Sequence, residues 1–281
     1  MVFACYGLWG GAVFWLADSQ PVLAGVITTL AIAQHSSLQH EIIHGHPFQN
    51  YRLNDALVFP AIGLAIPYGR FRDTHLAHHK DSNLTDPYDD PESNFLAPVQ
   101  WSGLCAIRRP LFVANNTLLG RMIIGPALGQ ICFMKSDVRS GDMRIVGSWL
   151  SHTLSSAIIV YSVVRYSSLP IWGYLLCAYF ALSVLKIRTY LEHRAHDKSR
   201  ARTVVIEDRG PLALLFLNNN LHIVHHMHPN VPWYNLPKLY ANNRDRFLSA
   251  NEGYRYKSYA EIVARYFLKA KDPVVHPLIK D

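Results

Sequence analysis

The sequence predicts an all-α integral membrane protein, with four transmembrane helices and a cytoplasmic helical cap in a single membrane-embedded domain. Three observations carry this expectation. Half of the 281 residues are hydrophobic and 17% are charged, where an average soluble domain carries about 25% charged residues. Lysine and arginine are confined to some of the stretches between apolar runs and are nearly missing from the others. Histidines gather where the apolar runs end.

Residues 2–17 form an uncharged apolar run that ends at Asp18. A secretory signal would have a basic region ahead of this run and a small-residue cleavage site behind it. Neither is present, so the run reads as a short first span. After a turn at 18–20, residues 21–44 are apolar as far as Ala33 and then polar. A helix of that length measures about 36 Å, enough to cross the hydrocarbon and extend about two turns beyond it. His40 and His44 therefore stand where a spanning helix leaves the bilayer.

His46-Pro47 suits a helix stop, and residues 45–54 read as a break. Residues 56–67 are too short to span and are interrupted by Pro60 and Gly63, which suits a re-entrant or interfacial segment. The acidic stretch Asp86-Pro87-Tyr88-Asp89-Asp90-Pro91-Glu92 is broken by proline and reads as a solvated turn. Residues 118–134 are apolar but interrupted by Arg121, Gly125, Pro126 and Gly129, a pattern for a helix lying on the membrane surface. Clean spans follow at 145–164 and 169–187. The end of the chain, residues 254–271, is basic and amphipathic, with Tyr259, Ile262, Val263, Tyr266 and Phe267 on one face. Residues 45–144 and 188–281 make up the cap.

With short outer loops at 18–20 and 165–168, the positive charges sort by side. Ten lysines and arginines lie within 34–144 and sixteen from 186 onward, so 26 of 27 share one face and only Arg165 is outside. That is the positive-inside pattern. The net charge of +7 is not arranged in basic stripes interleaved with aromatics, so no nucleic-acid partner is expected. Cys5, Cys105, Cys132 and Cys177 are scattered without a C-x-x-C pair and read as reduced, structural residues.

Thirteen of the fifteen histidines fall into four clusters, at 35–46, 75–79, 193–196 and 222–228. His40 and His44 form an H-x-x-x-H pair. The spacing H-x-x-H-H occurs twice, at His75, His78, His79 and at His222, His225, His226. On a helix each box turns its imidazoles to one face. Neutral imidazole offers a nitrogen lone pair to a first-row transition metal without a full charge to desolvate. The boxed positions supply eight such donors, and a mononuclear zinc site needs three or four, so the count suggests two metals. His152 has no partner histidine at helical spacing and is read as a hydrogen-bonded packing residue.

Two other readings of these residues exist. Residues 40–44 also spell H-E-x-x-H, the helix of a zinc protease in which Glu41 would be the general base. An intramembrane protease of that kind leaves both H-x-x-H-H boxes without a task. A metal transporter or binding protein would place ligands at mid-span, where only His152 lies.

The pieces His40-Glu41-Ile42-Ile43-His44, His75-Leu76-Ala77-His78-His79 and Asn220-Leu221-His222-Ile223-Val224-His225-His226 resemble the membrane fatty acid desaturases and their hydroxylase and ketolase relatives. Pro229-Asn230-Val231-Pro232-Trp233-Tyr234-Asn235-Leu236-Pro237 extends the resemblance past the last box, and in outline it covers nearly the whole chain. The resemblance implies two iron ions that activate O₂, with electrons arriving from a separate carrier such as a ferredoxin or cytochrome b5. It also implies a ninth histidine ligand just after the fourth span. His193 takes that place ahead of His196, because it comes earlier off the helix. His46, His196 and His228 remain as substitutes for a ligand named here. In the acyl-CoA branch an Asn lies one turn before the ninth histidine; this chain has Thr189 there, which argues against that branch. Carboxylates beside the ligands, Glu41, Asp73, Glu192 and Asp197, are candidates to fix which ring nitrogen coordinates. The implied activity is oxidation of a lipid acyl chain to introduce a double bond, at the cytoplasmic side of a bacterial inner membrane. Hydroxylation or ketolation of an acyl chain or a carotenoid would use the same ligand set.

Overall fold

The computed structural model describes residues 1–80 and 83–279 and is mostly helical. The chain packs as two compact units, one of Met1–Arg72 with Pro126–Leu185 and the other of Asp73–Gly125 with Lys186–Asp281.

The first unit opens with a helical run of Val2–Gly11, a π turn at Ala12–Leu16 and Ala17–Ser19. Pro21 begins the next helix, Pro21–Ile43, at a position whose N–H would have no intrahelical partner anyway. Side-chain bonds pin this unit together. Cys5 Sγ donates to the Ala31 carbonyl at 3.3 Å and the Tyr6 hydroxyl to the Leu57 carbonyl at 2.9 Å. The Trp9 indole donates to the Tyr174 hydroxyl at 3.0 Å, and fully buried Tyr174 donates to the Ile62 carbonyl at 2.7 Å. Where water is excluded, each such bond removes the cost of an unmet polar group.

Two helices, Pro21–Ile43 and Ile171–Thr189, are long and apolar enough to cross a membrane. The expected spans at 2–17 and 145–164 are helical but do not reach that measure. The first is interrupted by the π turn. The second, within Met143–Tyr166, carries Ser151, Thr153 and Ser162, whose hydroxyls donate back to the carbonyls of Gly147, Trp149 and Ile158. On the same helix the ring Nε2 of His152 lies 3.1 Å from the Leu64 carbonyl.

Three elements differ from their sequence expectations. A helix, Tyr51–Val58, begins inside the expected break at 45–54, because the Asn50 side chain accepts from the backbone N–H groups of Arg52 and Leu53 and caps it. The expected surface helix at 118–134 is split into Leu118–Ile123 and Gly125–Ser140. Pro126 has no backbone N–H to continue the hydrogen-bond ladder of the preceding helix, so a new helix starts at Gly125 with the proline in its first turn. Gly120 is required where the first of these two helices meets the preceding turn, since a Cβ there would stand 1.9 Å from the Ala114 carbonyl oxygen. The expected amphipathic helix over 254–271 contracts to Tyr259–Tyr266, capped by the Ser258 hydroxyl, and the two residues Arg255–Tyr256 form a strand instead.

That strand pairs in parallel with Val205–Ile206, a feature of the second unit too short to show strand alternation in the sequence. Beside the sheet, Val205, Leu221, Ile223, Val224, Leu236, Tyr240 and Phe247 form a buried cluster. Ile223 and Val224 anchor the helix His222–Met227 in it, which fixes the direction of the histidines on that helix. Glu207 follows the first strand and accepts from Tyr240 at 2.7 Å, Arg244 at 2.7 Å and Arg255 at 2.6 Å. Partial burial acts to raise its carboxyl, but the bonds to Arg244, Tyr240 and Arg255 outweigh it and bring the value from 4.5 down to about 2. A depressed carboxylate stabilises the fold fully above about pH 4.5 and loses that contribution as the pH falls toward about 2. Glu207→Gln is therefore expected to lower the thermal midpoint at neutral pH and to flatten its dependence across that acidic window, as measured by unfolding in detergent at a series of pH values.

Candidate metal centre

The first H-x-x-H-H box lies in the last turns of helix Tyr68–Lys80 and the second in His222–Met227. Adjacent residues on a helix point about 100° apart, so His78 and His79 diverge, as do His225 and His226. Each box therefore divides between two sets. His78 joins His193, His222 and His226, while His225 joins His75 and His79.

In the first set the ring nitrogens converge. His78 Nε2 lies 3.0 Å and His222 Nε2 3.1 Å from His193 Nε2, and His226 Nε2 lies 3.2 Å from His222 Nε2. In the second, His225 Nε2 lies 3.1 Å from His79 Nε2, and the His75 and His79 rings are 4.6 Å apart. The sets adjoin each other: the His79 and His226 rings stack at 4.2 Å with planes 10° apart.

The opposite edges of several rings are held by acceptors. His78 Nδ1–H donates to Asp90 at 2.8 Å, His75 Nδ1–H to Glu92 at 3.0 Å and His222 Nδ1–H to the Asn219 side-chain oxygen at 3.1 Å. Asp90 is itself oriented by the backbone N–H groups of Thr85, at 2.8 Å, and Glu92, at 2.9 Å. The Asn219 amide donates to Glu192 at 3.0 Å, and Arg188 pairs with Glu192 at 3.0 Å. An imidazole whose Nδ1 carries the proton presents its Nε2 lone pair, so these acceptors turn lone pairs inward.

The donor chemistry fits metal ions. Burial, reinforced by the neighbouring histidines, pushes His193, His222 and His226 well below the usual histidine value and keeps them neutral. Burial acts to lower His78 as well, but the carboxylates of Glu92, Asp90 and Glu192 prevail and raise it to about 9. The surroundings of His78 thus favour positive charge. Nitrogens coordinated at about 2.1 Å around one ion stand about 3.0–3.4 Å from their nearest neighbours, close to the 3.0–3.2 Å separations found here.

The remaining sequence candidates fall in several places. His40 and His44 stand one turn apart at the end of Pro21–Ile43, buried, with rings 5.1 Å apart. Glu41 is buried, with its carboxylate 3.9 Å from His46. Glu192 is buried 3.8 Å from His222 Nδ1 and acts on that ring mainly through Asn219. Asp73 and Asp197 are exposed. His196 pairs with Glu252 at 3.2 Å, and the His228 ring meets Phe247 edge-on. The acidic loop read as a solvated turn has a different role, since it delivers Asp90 and Glu92 to the histidines. Asn219 also escaped the sequence reading, although it lies three residues before His222, a spacing that places it on the same helical side.

Fold and site together define a helical protein with adjoining all-imidazole sets that could hold metal ions. The chain belongs to the fatty acid desaturase family, whose family model matches residues 14–258. A beta-carotene ketolase of Paracoccus sp. (strain PC1) is 24% identical over 254 residues, covering 84% of this chain and 88% of the ketolase. A second beta-carotene ketolase, from Paracoccus sp. (strain N81106 / MBIC 01143), is 24% identical over 215 residues, covering 74% of this chain and 72% of its own length. The chain is thus an oxidoreductase of the desaturase and ketolase superfamily, a group of di-iron enzymes that use O₂ with lipid or carotenoid substrates. That membership assigns oxidation, not proteolysis, to these histidines.

The Asp90 carboxylate orients His78 and would offset the charge of a cation held there. Asp90→Asn keeps an acceptor but removes the charge, so iron affinity is expected to fall about 10-fold or more. Competition against a chelator measures it, with circular dichroism as the check that helix content is unchanged.

Proposed function

We propose that this chain introduces a double bond into the acyl chain of a membrane lipid, using O₂ and two irons held by His40, His44, His75, His78, His79, His193, His222, His225 and His226. Electrons come from a separate carrier such as a ferredoxin or cytochrome b5. The observation that carries the reading is the division of each H-x-x-H-H box between two adjoining sets, which supplies two metal positions from one pair of short helices.

Bound irons would supply the reductive activation of O₂ needed to take two hydrogens from an unactivated CH₂–CH₂ pair, with two electrons and two further protons giving two waters. The protein's part is orientation and exclusion of water. Asp90, Glu92 and Asn219 keep protons on the Nδ1 atoms of His78, His75 and His222, so that Nε2 is free to bind metal. Burial of His75, His78, His222 and His225 keeps bulk water from the reacting centre.

The substrate is drawn from the lipid phase in this reading. Phe3, Val22, Leu154, Ile158, Trp172 and Phe180 are exposed along the long helices, an apolar surface costly in water and suited to lipid contact. Four spans and a cytoplasmic cap in a bacterial inner membrane are supported by the one-sided distribution of lysine and arginine.

The Paracoccus relatives favour a second reading, conversion of a carotenoid methylene to a ketone. It consumes two O₂ and four electrons per carbonyl and would use the same ligands. One experiment separates the two. The chain and its His225→Ala variant are expressed with an electron carrier in one host with ordinary lipids and another that accumulates carotenoids, and the extracts are analysed by mass spectrometry. A new acyl double bond, absent from the variant, is the expected outcome. A new keto-carotenoid supports the second reading, and unchanged extracts from chain carrying two irons and supplied with reductant refute both.

A further inference from the structure

The metal-site histidines differ in what holds their outer edges. Glu92 holds His75, Asp90 holds His78 and Asn219 holds His222. His226 sits 3.2 Å from His222 Nε2, yet its Nδ1 has no hydrogen-bond partner among the described residues, and it lines an open cleft of about 430 Å³. Arg200 and Arg246 also line this cleft, both exposed and neither ion-paired with any described residue. Met227, His228 and Ile223 contribute to its walls, and no carboxylate lines it among the described residues.

We propose that this cleft is where an acidic one-electron carrier protein docks, and that electrons enter the metal centre through the outer edge of His226. The inference rests on the oxidoreductase reading and adds to it the place of reduction. Three features favour such a carrier as the occupant. The uncompensated arginines attract and orient a negatively charged surface, raising the encounter rate in a salt-dependent way. The floor of the cleft contains a metal-site imidazole, so a docked carrier comes within one side chain of the iron. The cleft is also too open and too cationic to enclose an acyl chain, which needs an apolar channel. At each encounter the carrier would lose one electron to a ferric iron held by these histidines, so two encounters would provide the two electrons consumed per double bond.

The test uses the full chain loaded with ferric iron in neutral detergent, mixed anaerobically with a reduced acidic [2Fe–2S] ferredoxin while the ferredoxin absorbance is followed. Photoreduced deazaflavin, a small neutral reductant, serves as a parallel probe. The expected result is a second-order rate that falls as salt is raised and drops about 10-fold or more in the Arg200→Glu/Arg246→Glu double variant. Arg200→Gln/Arg246→Gln should fall between, and iron content and reduction by deazaflavin should be the same in all three proteins. Equal ferredoxin rates and salt dependence in wild type and both variants would overturn the proposal. So would a wild type whose irons accept electrons from deazaflavin but not from the ferredoxin. If deazaflavin finds no reducible iron in loaded protein, the oxidoreductase reading fails and the docking site fails with it.

Discussion

Inward-pointing lone pairs repel, and the second unit is built to bring several of them together. His78, His193, His222 and His226 meet through Nε2 atoms 3.0–3.2 Å apart, while Asp90 and Asn219 hold protons on the far side of two of the rings. The Glu92, Asp90 and Glu192 carboxylates favour positive charge on His78 against the cost of burial. Burying Asp90 and Glu192, with Glu92 partly buried beside them, near a cluster of otherwise neutral rings would be expensive in a metal-free protein. With a divalent ion at the centre, the same carboxylates offset its charge and fix ring orientation, so the cost becomes a source of affinity.

This constraint accounts for much of the second unit. The buried cluster under His222–Met227 holds Ile223 and Val224, which leaves the other faces of that helix for histidine. The parallel pair Val205–Ile206 with Arg255–Tyr256 closes the chain around the same cluster, and Asn251, fully buried, bridges it by donating to the carbonyls of Thr203 and Tyr254. Thr203 in turn neighbours His193, whose backbone carbonyl accepts from the Lys271 ammonium at 2.8 Å. Small elements that contribute little core of their own set the positions of histidines.

The histidine boxes were legible in the sequence because helical periodicity is a local property: three and four residues of separation specify a shared face without knowledge of the rest of the fold. The pairing of the boxes was visible only as a count of donors. The roles of Asp90 and Glu92 were not legible. A proline-broken acidic stretch has the composition of a solvated turn, and only the tertiary course of the chain shows that it turns inward. Element boundaries failed where side-chain chemistry overrode hydropathy, as in the cap made by Asn50 and the shortened helix capped by Ser258. The spans were legible in part. Pro21–Ile43 and Ile171–Thr189 each contain a stretch long and apolar enough to cross a membrane, whereas the Met143–Tyr166 helix is rich in serine and threonine, several of whose hydroxyls bond back to its own carbonyls, and falls short of that hydropathy.

Sharing each box between the two sets also has a mechanical consequence. Had one helix carried a complete set, the two metal positions could shift independently. Here His78 and His79 are bonded neighbours in the chain but belong to different sets, and so do His225 and His226. Any rotation of either helix moves histidines of both sets together, which would tie the separation of two bound metals to the packing of these helices. Ions that must act on one O₂ molecule need a fixed separation, and a packed interior resists small displacements. Consecutive histidines suit such a site, because one stretch of backbone then positions a ring in each set.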